Sequence, residues 1–289
     1  MDAALIATRF VHFAAAMTLF GTNFFAAALA PASLAADLKP ALRRLTLPLA
    51  LLALASAAAW LYFVTRSMAG DVDLDALHEV LTGTSFGMVW QARLVILVLL
   101  VIAASRPDRR RIVLAVLAGL AMASLGLVGH AAMQEGALGV AHRLNHAVHL
   151  LTTSAWLGGL PPFFVCLSVF VKSRDRRDAL AAMMRYSRVG HFVVAAVFVS
   201  GALDVAMTVH AVPLPANTPY RVGLDAKILV VFTMTALALF NRYVLAPRIG
   251  RSATAARALA VGTVVQILLA LAAISLVSAF ATFNPNPAP

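Results

Sequence analysis

The chain has 289 residues, 62% of them hydrophobic and only 12% charged, with a formal net charge of +11 and a mean hydropathy of +0.88. Soluble domains average about 45–50% apolar and about 25% charged residues, so this composition excludes an ordinary soluble globule and a disordered chain. The single cysteine, Cys166, excludes an intrachain disulfide framework and any multi-thiolate metal site.

A helix needs about 20 mostly apolar residues to cross a bilayer. Eight stretches meet that need, at about 5–30, 45–66, 88–105, 112–132, 145–171, 189–210, 224–245 and 256–281. The expected fold is therefore an all-α polytopic membrane protein with eight transmembrane helices in one transmembrane domain, 1–289. The first stretch, with RFVHFAAAMTLFG (9–21), has no basic segment before it and is interrupted by Arg9, His12 and Asn23, so it reads as a span and not a signal peptide. The second contains SAAAWLYF (56–63), the third QARLVILVLL (91–100), and the fourth ends in GHAA (129–132). The fifth contains NHAVHLLTTSAWLGG (145–159), and Pro161 and Pro162 within it remove backbone donors and predict a kink. The sixth carries SGALDVAM (200–207) and the seventh DAKILVVFTM (225–234), which closes on Asn241-Arg242 with Pro247 beyond as a helix stop. Trp60, Trp90 and Trp156 read as interface anchors or packing residues.

Basic residues concentrate in alternate connections. Lys39, Arg43 and Arg44 lie in 31–45, and Arg106, Arg109, Arg110 and Arg111 in 106–111. Lys172, Arg174, Arg176, Arg177, Arg185 and Arg188 lie in 172–188, and Arg242, Arg248, Arg251 and Arg257 in 242–257; together these hold 17 of the 23 Lys and Arg. The other side holds Asp71, Asp73, Asp75, Glu79 and Glu135. The basic side is expected to be cytoplasmic, with both termini periplasmic. Anionic lipid headgroups then account for the positive charge, and no nucleic-acid partner is implied.

The chain reads as two four-helix halves, 1–137 and 138–289. His12 precedes Gly21 by nine residues, and His149 precedes Gly158 by the same nine. Arg93 and Lys227 fall at matching places in the third and seventh spans, and SAAAW (56–60) aligns with SGALD (200–204), setting Trp60 against Asp204. Four helices per half give both halves the same orientation, related by an axis along the membrane normal.

Seven of the eight histidines fall in or near the outer half of the bundle, His191 being the exception. His142, His146 and His149 are spaced i, i+4, i+7, one stripe on one helix face if the helix begins that early. His130 pairs with Met133 at i, i+3, as Met207 does with His210, and Met17 lies slightly deeper. Neutral imidazole suits copper, zinc and iron, and thioether selects Cu(I) over Zn(II), so this mixture points to copper, with satisfied interfacial histidines as the alternative. Asp204 shares a helix end with Met207 and His210 and is read as an oxygen ligand, a proton acceptor or the partner of Lys227 or Arg93. Arg93 and Lys227 themselves read as structural ion pairs with snorkelling side chains.

RFVHFAAAMTLFG (9–21), TSFGMVWQARL (84–94), GHAA (129–132), HLLTTSAWLGGL (149–160), YSRVG (186–190) with SGALD (200–204), and DAKILVV (225–231) with NRYVLAP (241–247), in that order, resemble the CopD family of bacterial inner-membrane copper proteins. The resemblance runs through most of the chain. It implies an eight-span inner-membrane protein of copper homeostasis that moves copper from periplasm to cytoplasm. It also places the family's recurring histidines on His12, His130 and His149. With no soluble copper-binding domain fused at either end, it implies a separate periplasmic copper-binding donor protein. His142, His146, Met133, Asp204, Met207, His210 and Met17 join the candidate set from spacing and position alone.

Two other readings stay open. Two histidines at equal depth on facing helices, His12 and His149, also suit a bis-imidazole b-type haem. A copper chaperone or sensor at the outer face would bind copper without passing it. No GxxxxGK[ST] motif is present, so transport would be passive or gradient-coupled. Neither a nucleophile–base set nor an HExxH pattern is present, which argues against a hydrolytic enzyme.

Overall fold

The computed structural model describes residues 3–106, 110–172, 176–209 and 218–285. Ten α-helices are described: α1 (Ala3–Phe24), α2 (Ala32–Ala69), α3 (Leu74–Gly83), α4 (Ser85–Ser105), α5 (Arg111–Ala123), α6 (Gly136–Leu157), α7 (Leu160–Lys172), α8 (Arg176–Thr208), α9 (Pro219–Phe240) and α10 (Ala253–Phe280). No strand occurs among the described residues. Seven helical segments are long and apolar enough to cross a membrane, and an eighth, Arg111–Leu127, is shorter. The fold is a polytopic all-α membrane protein whose exposed leucines, valines and phenylalanines form the lipid-facing surface.

Two basic segments expected as loops are helical. α2 runs for 38 residues, far beyond the roughly 20 that a bilayer requires. Leu34, Leu38 and Leu42, spaced by four, put one stripe of this extension into a core cluster with Phe25, Cys166 and Met183. α8 starts at Arg176 for the same reason: Ala179, Ala182 and Met183 bury one face in that cluster while its arginines stay on the other. At the opposite, acidic end of the bundle a short helix was not foreseen. α3 is capped by Asp73, which accepts from the Ala76 backbone N at 2.7 Å.

α1 runs at the centre and packs on α2, α5, α6 and α10. It meets α6 at its own Gly21 and at Gly158, immediately after α6. A Cβ on Gly21 would lie 2.3 Å from the Gly158 carbonyl carbon, and one on Gly158 would lie 2.1 Å from the Met17 carbonyl oxygen. Only glycine permits this backbone-on-backbone crossing.

The fifth span is broken between α6 and α7 at Gly158 and Gly159, as Pro161 and Pro162 lead one to expect. The two prolines supply no N–H for the Leu157 and Gly158 carbonyls. Neighbouring helices brace the break: Thr22 Oγ1 of α1 donates to Gly158 O at 3.3 Å, making good one of the two losses, and Tyr186 Oη of α8 donates to the adjacent Trp156 O at 2.6 Å. Tyr186→Phe strands that carbonyl and is expected to cost about 1–2 kcal/mol. The midpoint of thermal unfolding in detergent checks this, and an unchanged midpoint would show the break to be held by packing alone.

Further along, Asn241-Arg242 does not stop the seventh span. α9 widens into a π-helical turn, Asn241–Leu245, and then a 3₁₀ turn, Ala246–Arg248. Trp60, Trp90 and Trp156 are all buried, so they pack and do not anchor the interface.

Candidate metal centre

α6 begins at Gly136, early enough to carry His142, His146 and His149 on one helix. Each of the three hands its Nδ1 to a different fixed acceptor. His142 Nδ1 lies 3.0 Å from Gln134 Oε1, and Gln134 is itself oriented by donating Nε2–H to Met207 O at 2.5 Å. His146 Nδ1 lies 2.8 Å from Asp204 Oδ2. His149 Nδ1 lies 3.0 Å from Ser200 Oγ. The Ser200 hydroxyl donates to Ala196 O at 2.6 Å, so toward His149 it can only accept. Acceptors at all three Nδ1 positions fix the protonated nitrogen there, the usual arrangement behind a metal-binding imidazole, although the Nε2 of His142 already faces the Thr208 hydroxyl at 3.5 Å.

Asp204 on α8 is the hub. Its Oδ1 accepts from Asn145 Nδ2 at 2.6 Å, and it lies 3.8 Å from His142 Nε2. Asn145 also donates to Ser200 O at 2.8 Å, which ties α6 to α8 at this level. Gly201 makes room for the His149 ring, whose Cε1 would lie 3.2 Å from a Cβ there. Lys227 is within electrostatic reach of Asp204 and His149.

His130 lies just beyond the fourth span, with its ring edge-on to Tyr220 at a centroid distance of 6.1 Å. Its Nε2 is buried with no hydrogen-bond partner among the described residues. Burial, and secondarily the nearby Arg9, hold its pKa below the ordinary histidine value, with His146 and His142 also within reach. That direction favours the neutral form, the one a ligand needs.

His12 on α1 shares the serine contact of His149 but differs at Nε2. Its Nδ1 lies 2.9 Å from Ser56 Oγ, and that hydroxyl donates to Leu52 O at 2.7 Å, the same pattern as His149 and Ser200. Its Nε2, however, faces the Arg93 guanidinium, which donates to it. Arg93 also donates to Ala121 O and to Ser124 Oγ at 2.7 Å. Arg93 is fully buried with no carboxylate partner among the described residues, so it neither snorkels nor forms the ion pair expected of it. Trp60 stands edge-on to His12 at 5.7 Å. A bis-imidazole haem needs both Nε2 atoms turned to one iron, and Arg93 takes that of His12.

The structure thus gathers His142, His146, His149 and Asp204, with His130 nearby. Met207 contributes its carbonyl to this region through Gln134. Met133 is 72% exposed. Met17 packs in the main hydrophobic core, His12 is fully buried, and His210 lies outside the described residues. Among the described residues no three His, Cys, Asp or Glu side chains stand close enough to share one ion. Sequence reasoning missed Gln134, Asn145, Ser56 and Ser200. Ser56 and Ser200 open the aligned SAAAW and SGALD segments, a signal the repeat offered.

Two family models match the chain: "Copper resistance protein D-like, N-terminal domain" over residues 1–140 and "Copper resistance protein D" over residues 180–280. Inner membrane protein YebZ of Escherichia coli (strain K12) is 36% identical over 84% of this chain and 84% of its own length. Copper resistance protein D of Pseudomonas syringae pv. tomato is 26% identical over 99% of this chain and 98% of its own length. No solved structure matches.

Proposed function

The chain belongs to the copper resistance protein D family, and on that premise we propose that it captures copper at the periplasmic face of the inner membrane and passes it toward the cytoplasm. The basic end of the bundle faces the cytoplasm, by the bias of Lys and Arg in the alternate connections. The acidic end, with the His142–His146–His149 stripe, faces the periplasm and receives the ion from a separate donor protein. The observation that carries the reading is the common fate of the three Nδ1 atoms, each held by an acceptor on a neighbouring segment, which suits His146 and His149 to offer Nε2 to a metal while His142 Nε2 faces the Thr208 hydroxyl. His130 adds an imidazole whose Nε2 has no hydrogen-bond partner among the described residues. The two halves, 1–137 and 138–289, are read as a duplication in which the second half kept the open site and Arg93 closed the first.

Copper accumulation in proteoliposomes, together with copper titration of the solubilised chain, tests this. Wild type should bind and accumulate copper, while His149→Ala and His130→Ala should lose both. Equal accumulation in all three would remove the permease reading. A second reading is a handover site without flux. It is favoured by the inner half of the bundle, where Cys166 is fully buried among Leu29, Leu167 and Phe170. That reading requires binding without accumulation.

A further inference from the structure

A groove of about 440 Å³ lies between α9 and α10 at the basic end of the bundle, far from the histidine stripe. α9 runs toward that end and α10 away from it, so the lining residues fall in a defined order along the membrane normal. At the mouth are Thr254 and Arg257, in the first turns of α10, where the positive end of the helix dipole also favours an anion, Ser252 capping the Ala255 N–H. About one and a half turns deeper lies Gly262, with the Asn241 amide filling the space that a side chain there would take. A Cβ on Gly262 would lie 2.6 Å from Asn241 Oδ1. Asn241 is only 6% exposed, yet its Oδ1 has no hydrogen-bond partner among the described residues. It opens the π-helical turn of the seventh span, a distortion common at binding sites. Deeper still the groove is aliphatic, between Leu237 and Val265.

A cationic mouth, a lone buried amide and an aliphatic floor match, level by level, a phosphate, a glycerol ester and an acyl chain. We infer that this groove binds one anionic phospholipid. The phosphate sits on Arg257 and the α10 N-terminus. The Asn241 amide, turned to present its NH₂, donates to an ester carbonyl. One acyl chain lies along Leu237 and Val265. The groove opens sideways to the bilayer, as the exposure of Val261, Val265 and Phe240 along its rim shows, so a lipid reaches it without crossing the protein. Arg242, Arg248 and Arg251 in the connection between α9 and α10 add to the positive field and favour an anionic over a zwitterionic headgroup. Nothing in this assignment depends on copper.

Native mass spectrometry of the full chain in detergent tests it, with dioleoyl phosphatidylglycerol and dioleoyl phosphatidylcholine as probes. Wild type should retain phosphatidylglycerol at about fivefold lower lipid concentration or less, the effect of about one well-placed arginine. Arg257→Gln should abolish that preference, and Asn241→Leu should weaken retention of both lipids. Arg44→Gln, on α2 at the same end, should change neither. Equal retention of the two lipids by wild type, or equal effects of Arg257→Gln and Arg44→Gln, would overturn the inference. So would displacement of bound lipid by water-soluble glycerol phosphate, which would make the site a phosphate site only. Should a variant fail to fold, the wild-type lipid ratio and the glycerol phosphate competition still decide.

Discussion

Asp204→Asn is expected to weaken copper binding by about 10–100-fold, the usual effect of removing the carboxylate behind a metal-binding imidazole. Asparagine keeps the size of the side chain and can still accept from Asn145. It withdraws the negative charge that holds the His146 Nδ1–H at 2.8 Å and that stands 3.8 Å from His142. Without it, His146 is a poorer donor to the metal and is no longer committed to one ring orientation. Competition titration against a copper chelator at constant pH measures the change. An unaltered affinity would place the ion elsewhere and leave Asp204 as a tie between α6 and α8.

The largest structural effect is expected at the crossing of α1 and α6. Gly21→Ala or Gly158→Ala should each destabilise the protein by about 3 kcal/mol, the upper end of the range for overpacking. The added methyl group would sit on backbone atoms, which have no rotamer to change. At Gly21 the three nearest atoms lie 2.3–2.5 Å from the new carbon. Gly190 provides the contrast: it lies within α8, and a Cβ there meets nothing within 4 Å. Gly190→Ala should therefore raise stability slightly, by about 0.5–1 kcal/mol, since alanine is the better helix former. Thermal unfolding of the three variants side by side gives the comparison, and equal midpoints would show that the two helices part more easily than their contact suggests.

The spans were legible because the bilayer imposes one simple rule, length of apolar run, on every segment. The stripe of His142, His146 and His149 was legible for a similar reason, since a spacing of i, i+4, i+7 is local. The equal nine-residue spacing from His12 to Gly21 and from His149 to Gly158 read only as a mark of duplication, and it did not say that the two glycines meet across helices. What could not be read were partners far apart in the chain. Arg93 is 81 residues from the imidazole it seals, and nothing in a helical period marks that contact. Ser200 and Asn145 carry no signal of their own because single polar residues in membrane helices also bond their own backbone, and Gln134 lies in a connection outside any helical period. The helical extensions of α2 and α8 were hidden by their arginines, which signal a connection by charge, while the alanines and leucines between them bury a face. Met17 entered the candidate set from position, and His12 from the repeat and the family resemblance, and neither signal says which way a side chain turns.

The burial of Arg93 has a consequence for how the protein is made. A guanidinium at that depth costs about 2.5–3.5 kcal/mol to insert on a lone helix. The groups that receive its hydrogens belong to other segments, His12 on α1 and Ala121 on α5, with Ser124 just beyond α5. That cost is relieved only when α4 packs against α1 and α5. Settling α4 in the membrane and assembling it with its neighbours are therefore energetically coupled, and Arg93 ties the first spanning segments into one unit.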